Sequence, residues 1–544
     1  MISITDPTLW LALYAQPLHT RTTPPTTDAL HDYLSEYASS KDGQTAISLE
    51  NNPEYQLELE QALTTLPASL LDTLSQSVLG IFFARGLNVS GLTERLTAGN
   101  GSNPLGCIIV LNTDVLQQSP ARAAEEYSYL QQLLASLNLT DASHTFQGLA
   151  PFLRMSLNGA DLHGHTQALL AQANQDQENA ILWMNLATGF LCLKMRDMGL
   201  AIQEQALSLQ RLFRRPASCQ PPRSRLLVIM TAGDLSENTP IDCLLENSPV
   251  ELIYYYATIE QPLPSPMPAH DAVMVALSDS QANHDLLLAV EASLRHHAQP
   301  VINQPRLLPN VNRDQLSELL QGIPGLDMPR THRLPRSQVV TRLSMQQRDP
   351  AGPAALPGFP LIIRPVGSQA GNDLAKISSA TALADYVRSV ASLGFFVSRF
   401  VDYSSQDGLF RKYRIAMLRG QPFICHMAIS SHWMVHYVNA GMYDSAEKRA
   451  EEGLFMQHFS HFATRHQPAL AAIYQRLQLD YFCIDCAETP DGKLLVFEID
   501  HIMAVHAMDA ADLFPFKAGQ IARLQQAFEQ YLYALQPQPL LESA

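Results

Sequence analysis

The chain reads as a multidomain protein: a largely helical N-terminal half, then an α/β unit, then an α+β domain. Three observations predict this. At 544 residues with 46% hydrophobic content it can build three or more cores at roughly 100–200 residues per domain. Up to about residue 213 the apolar positions recur mostly at helical spacing. After a basic, proline-rich stretch at 214–225, RRPASCQPPRSR, they fall instead in the continuous runs typical of buried strands.

Charge and cysteine usage narrow the class. A formal net charge of -16 and a pI near 5.5 give no general attraction to nucleic-acid phosphates or anionic lipid, so neither is an expected partner. The apolar stretch 9–15 is short, without a basic flank or a small-residue cleavage pattern, so no signal peptide is expected. No apolar run reaches the roughly 20 residues a spanning helix needs. Seven scattered cysteines, mostly in apolar runs such as GCIIVL and FICHM, suit reduced thiols in a soluble, cytoplasmic protein. Cys483 and Cys486 form a CxxC, but YFCIDCAE looks like a strand and no second pair accompanies it, which favours core packing over a redox or zinc role.

Taken in order, residues 1–145 form a mostly helical region to which no chemistry is assigned. Helix-like spacing falls around 55–83 and 121–137, and GCIIVLN at 106–112 is a candidate strand after the turn-rich TAGNGSNP. From 146 to 213 the helical pattern sharpens. Trp183, Leu186, Ala187, Phe190, Gly199 and Ala206 fall at the spacing of a tetratricopeptide (TPR) repeat, large alternating with small where two antiparallel helices meet. One or two repeats are visible, fewer than the about three a stacked array needs. A TPR-like array and a helical hairpin packed on its neighbours therefore both stand, and either could hold a peptide or protein partner.

Residues 222–305 alternate the apolar runs LLVIMT, VELIYYYA and AVMVAL with a helical segment at 283–297, as a doubly wound α/β subdomain does. They contain no GxGxxG, so no dinucleotide site is expected.

The chemistry lies in 306–540. At 359–377 an apolar strand ends in Arg364 and runs into a loop with Gly367, Ser368 and Gly371. A cation at a strand end beside flexible backbone amides suits a triphosphate. At 412–442 a hairpin turns at Arg419-Gly420 and carries Arg414 and His426. At 480–506 two strands flank TPDGK, with Asp485 on the first and Glu498 and Asp500 two apart on the second, hence on one face. Three carboxylates converging there would be costly without a cation, and Mg²⁺ accepts such an oxygen-rich set. His432, His436, His501 and His506 lack HExxH spacing and read as pocket or core residues.

In their order these segments resemble the ATP-grasp superfamily, nearest its RimK-like branch, over roughly the last 320 residues. The resemblance implies an α+β ATP-grasp fold after a pre-ATP-grasp subdomain, with ATP and Mg²⁺ (or Mn²⁺) as cofactors. It further implies that Arg313 and Arg364 contact phosphate and that the strand at 395–403 leads to a hinge at Phe400, Val401 and Asp402 where adenine pairs with backbone. Asp402 or Asp407 would reach the ribose. Arg414 and His426 would stabilise the transferring phosphate, and Asp485, Glu498 and Asp500 would hold metal. The chain departs from the family pattern at Arg364 (usually Lys), Ser398-Arg399 (often Gln-Glu), His426 (commonly Arg) and Asp500 (usually Asn). Histidine carries only part of a charge near neutral pH. The activity implied is joining a carboxylate to an amine through an acyl phosphate; members often form homodimers. A phosphotransferase and a noncatalytic interaction protein with a degenerate nucleotide domain stand beside this reading.

Overall fold

The computed structural model describes residues 48–50, 78–85, 91–97, 104–112, 145–219, 221–348, 356–368 and 371–536. The chain divides into two units, Met1–His144 and Thr145–Ala544.

In the first unit, β1 (Ser48–Glu50), β2 (Val78–Arg85), β3 (Gly91–Thr97) and β4 (Pro104–Asn112) form one sheet in the order β1-β2-β4-β3, with β2 and β4 parallel. The strand expected at 106–112 is β4. The helix expected through 83 is corrected at its end: 78–85 is a strand. VLGIFFAR is a short continuous apolar run, which periodicity alone cannot assign, and its parallel partner GCIIVLN fixes it as β. The helix expected at 121–137 lies outside the described residues.

The second unit opens with four helices, Ala150–Leu157, Leu162–Gln175, Ala180–Cys192 and Arg196–Leu209. Asp161 and Asn179 cap the second and third, accepting from Gly164 N at 2.8 Å and from Ile181 N at 3.2 Å. Gly199 sits where an added Cβ would fall 2.7 Å from Leu191, so the last two helices approach closely as a hairpin. Ala180, Met184, Ala206 and Leu207 are buried in one core with Phe213, Leu226 and Tyr254 of the following sheet. The packing thus favours a hairpin seated on its neighbours over a freestanding array.

That sheet contains β5 (Leu212–Arg215), β6 (Ser224–Met230), β7 (Val250–Tyr256), β8 (Ala272–Val275) and β9 (Val301–Ile302) in the order β5-β7-β6-β8-β9. β7, β6, β8 and β9 are parallel and almost wholly buried, hence their unbroken apolar sequences. The segment 214–225, expected as a linker, instead carries the end of β5 and the start of β6. Arg214 and Arg225 both pair with Glu251 of β7, at 2.9 and 3.1 Å, which explains its basic character.

Two further sheets follow. β11 (His332–Pro335), β12 (Leu361–Pro365), β13 (Ala375–Ile377) and β14 (Gly394–Arg399) form an antiparallel sheet, β11-β14-β12-β13, whose core includes residues of the helices Arg336–Arg348 and Ala380–Ser389. The last contains β10 (Leu326–Asp327), β15 (Phe410–Leu418), β16 (Gln421–Ser430), β17 (Tyr481–Glu488) and β18 (Leu494–Asp500), ordered β10-β18-β17-β15-β16. A cleft lies between these two sheets.

Asn303, fully buried with φ of 57°, clamps the α/β sheet to the last one. Its Oδ1 accepts from Asp480 N and Tyr481 N, both at 3.0 Å, and its Nδ2 donates to Tyr481 O at 2.7 Å. Thr239 Oγ1 donates to His501 O at 3.0 Å across the same boundary. Among the described residues no helix is long and apolar enough to cross a membrane.

Candidate functional site

One face of β15 and β17 changes character along its length. Ala416, Leu418, Tyr481 and Cys483 lie under the helix Lys517–Leu535, in the core that holds Ile521, Leu524 and Phe528. Two residues further along each strand, Arg414 and Asp485 lie at the other end of that face. Strand alternation keeps Lys412, Arg414 and Asp485 on this face, and Glu498 of β18 pairs with Asp485 in register. Lys412, Asp485 and Glu498 line a cleft between the last two sheets.

The cleft lining is of two kinds. Part is apolar, with Phe400, Val401, Tyr403, Trp433 and Phe497, the Phe400 and Trp433 rings edge to face at 5.8 Å. Lys376 stands over the Phe400 ring, 3.6 Å from its centre. Part is charged, with Arg313, Arg364, Arg399, Lys412, Asp485 and Glu498. Gly371, at φ of 76°, joins the lining; its Cβ position is 3.6 Å from Met434 and 3.9 Å from His436, so the loop after β12 reaches the segment after β16.

Arg364 is buried at the end of β12, donating from Nε to Ser368 Oγ at 3.1 Å and from Nη2 to Ser368 O. Burial, with Arg313 close by, lowers its pKa to about 10. Arg313 opens the helix Arg313–Leu319 and pairs with Glu498. Asp485 is gripped by two cations: Arg414 Nε at 2.8 Å and Nη2 at 3.1 Å, and Lys412 Nζ at 2.7 Å. Burial opposes ionisation of Asp485, but Arg414 and Lys412 outweigh it and hold the carboxyl far below the usual range.

The sequence expectations meet this geometry unevenly. Arg313, Arg364, Gly371, Phe400, Val401, Asp485 and Glu498 come together around the cleft. Gly367, at φ of 83°, and Ser368 form the turn behind Arg364. Asp402 is turned to its own loop, accepting from Ser404 N at 3.0 Å, which lowers its pKa. Asp407 is paired with Arg411 at 2.7 Å. Neither carboxylate lines the cleft.

Two expectations meet surroundings other than those the resemblance implies. His426 pairs in register with Arg414, but burial first, and the Arg414 cation second, push its pKa well below 6.5. Its ring lies 4.7 Å from that of Tyr437, tilted at 53°, and burial disfavours the positive charge the resemblance implies there. The three carboxylates expected to hold metal are each engaged by other groups. Asp485 is held by Arg414 and Lys412, and Glu498 by Arg313, while Asp500 Oδ1 accepts from His501 N and Ile502 N at 2.7 and 3.3 Å. Among the described residues no three His, Cys, Asp or Glu side chains stand together as metal ligands. A divalent ion does not fit this donor set as it is arranged.

Lys412 and Trp433 line the cleft without having been expected there, while His436, read from the sequence as pocket or core, lines it too. For Lys412 a signal existed, since KYR at 412–414 puts two cations on one strand face. Behind His426, Lys517 Nζ reaches Asp509 Oδ2 at 2.9 Å, and Tyr437 Oη donates to Glu452 Oε2 at 2.9 Å. Buried Glu452 has a raised pKa, burial being the main cause. His501 is in the core against Leu277 O at 3.0 Å. Cys483 and Cys486 are buried in different cores, as strand residues three apart should be.

No family model matches the chain, and no curated protein matches it. Solved structures do. D-alanine–D-alanine ligase from Bacillus anthracis complexed with ATP is 15% identical, covering 56% of this chain and 99% of that one at a TM-score of 0.33. A RimK domain protein ATP-grasp from Sphaerobacter thermophilus DSM 20745 is 12% identical, with 55% and 100% covered at 0.34. VanG D-Ala:D-Ser ligase from Enterococcus faecalis is 14% identical, with 57% and 99% covered at 0.36. At such identities and TM-scores the likeness assigns neither activity nor substrate to this chain.

Proposed function

We propose that the second unit binds ATP in the cleft between its last two sheets and uses it to join a carboxylate to an amine. The observation that carries the nucleotide part is the polarity of the cleft. An aromatic slot at Phe400, Trp433 and Phe497 suits a purine, and the cations Arg313, Arg364 and Lys412 suit a polyphosphate. The carboxylate-amine part rests on the ordered resemblance of Arg313 and the segments 359–377, 395–403, 412–442 and 480–506 to the ATP-grasp superfamily.

In this reading a carboxylate oxygen of the substrate attacks the γ-phosphorus, the bond to the β,γ-bridging oxygen breaks, and ADP leaves. The amine nitrogen then attacks the acyl carbon, the bond to phosphate breaks, and the amine proton passes to solvent. The chain aligns the reactants and offsets charge: Arg364 and Lys412 on the phosphates, Arg414 orienting Lys412 through the shared Asp485. Gly371, set against Met434 and His436, would help exclude water from the acyl phosphate. A binding-only role is the second reading, favoured by the lowered pKa of buried His426.

Calorimetric titration of the full chain with ATP, with and without Mg²⁺, tests the nucleotide part, and Arg364→Met should weaken binding about tenfold or more. ADP release dependent on both a carboxylate and an amine tests the ligase part. Folded protein that binds no ATP in either buffer refutes the first; ATP binding without any two-substrate turnover leaves the binding-only role.

A further inference from the structure

A carboxylate pair facing across two strands is a common start for a divalent-ion site, yet here the ion's place is contested by the protein's own cations. Both oxygens of Asp485 are engaged, Oδ1 by Arg414 Nε and Oδ2 by Arg414 Nη2 and Lys412 Nζ. Glu498 faces Asp485 in register but is taken by Arg313. Asp500 is committed to the backbone amides after β18.

The charges do not balance. Four cations, Arg313, Arg364, Lys412 and Arg414, gather around two carboxylates, Asp485 and Glu498, and Arg364 is held by the serine oxygens of Ser368 rather than by a carboxylate. With its Lys412 and Arg414 partners only 15% and 21% exposed, Asp485 cannot neutralise both. Surplus positive charge with so little water around it is costly until an anion arrives. A divalent ion would add to the surplus, while a polyphosphate would cancel it.

We propose that Lys412 acts as a built-in counter-cation at Asp485, in place of a divalent ion, so that the cleft takes up a nucleotide polyphosphate without requiring metal. This rests on the ATP reading of the cleft. Lys412 anchors on Asp485 through one N–H and presents its remaining N–H donors to phosphate oxygens, with Arg364 on the opposite wall. A point charge on a flexible stem suits that role, because the ammonium can hold the carboxylate and follow the phosphate together.

The test is calorimetric titration of the full-length wild-type protein with ATP in excess EDTA and again in Mg²⁺, repeated with Mn²⁺. The expected result is binding in EDTA with an affinity within about threefold of that in metal, less than the tenfold that about 1.4 kcal/mol would make. Lys412→Met should lose about tenfold or more in EDTA, the cost of one charge-assisted contact. Lys412→Asp, which offers a third carboxylate where the ammonium stood, should make binding depend on metal. Wild-type binding seen only with Mg²⁺ or Mn²⁺ overturns the proposal and leaves the ATP cleft standing. Absence of binding in every buffer removes the ATP reading and the proposal with it. The wild-type comparison decides even where a variant fails to fold.

Discussion

Replacing Asp485 by asparagine removes the charge that two cations share while keeping the side chain's shape. The Asp485 side chain is 4% exposed, and its partners at 2.7, 2.8 and 3.1 Å keep little water of their own. Breaking a buried pair by removing one partner costs about 3–5 kcal/mol, because the other is left uncompensated. Lys412 and Arg414 keep 15% and 21% of their side chains exposed, so the lower end, about 3 kcal/mol, is expected for Asp485→Asn. The folded-state pKa of Asp485 is depressed. The pair's contribution is therefore fully present above the ordinary carboxylate range and lost only as pH falls through the folded value. Urea unfolding should give the same difference between wild type and variant from about pH 6 to pH 8. Adding Lys412→Met to Asp485→Asn should recover part of the loss by removing one stranded cation, which a double-mutant cycle measures. A variant within about 0.5 kcal/mol of wild type, the range of ordinary surface substitutions, would refute the idea that the cations depend on Asp485.

Two other predictions concern the frame and the imidazole behind the site. Asn303→Ala removes one acceptor and one donor from the buried backbone of Asp480 and Tyr481 and leaves a left-handed residue without its side-chain bonds. It should cost about 3 kcal/mol in urea unfolding, and a loss under about 1 kcal/mol would mean the clamp is redundant. His426 should remain neutral in histidine-labelled NMR spectra well below pH 6.5, since its pKa is lowered. As pH falls below about 6.5 the unfolded chain alone takes up that proton, so this group lowers stability with acidification; a normal titration would restore the cationic role.

Much of this was legible ahead of the structure where one local rule governs. Strands buried on both faces leave unbroken apolar runs, so β6, β7 and β8 announce themselves. The β15/β16 hairpin is marked by Arg419-Gly420, where φ values of 50° and 82° give the left-handed pair a tight hairpin needs. What stayed hidden depends on partners far along the chain. β5 is four residues with two arginines, and only β7 and Glu251 make it a strand. The positions of Asp485 and Glu498 followed from strand alternation, but their partners did not. Lys412 is 73 residues from Asp485, and Arg313 is 185 residues from Glu498. The resemblance likewise made His426 a candidate cation, whereas burial, and then the Arg414 cation, lower its pKa.

The Asn303 clamp also bears on how this molecule can be taken apart. A cut at 305/306, where the change of pattern divides the α/β unit from the cleft-bearing part, would remove the side chain that fixes the start of β17, four residues before Asp485. It would also strip Thr239 from the His501 carbonyl and Leu277 from the His501 ring, just beyond β18. A fragment beginning there would keep every cleft residue named above and lose the scaffold that sets two of its strands. The minimal piece in which the cleft can be studied therefore starts well upstream, with the α/β sheet retained.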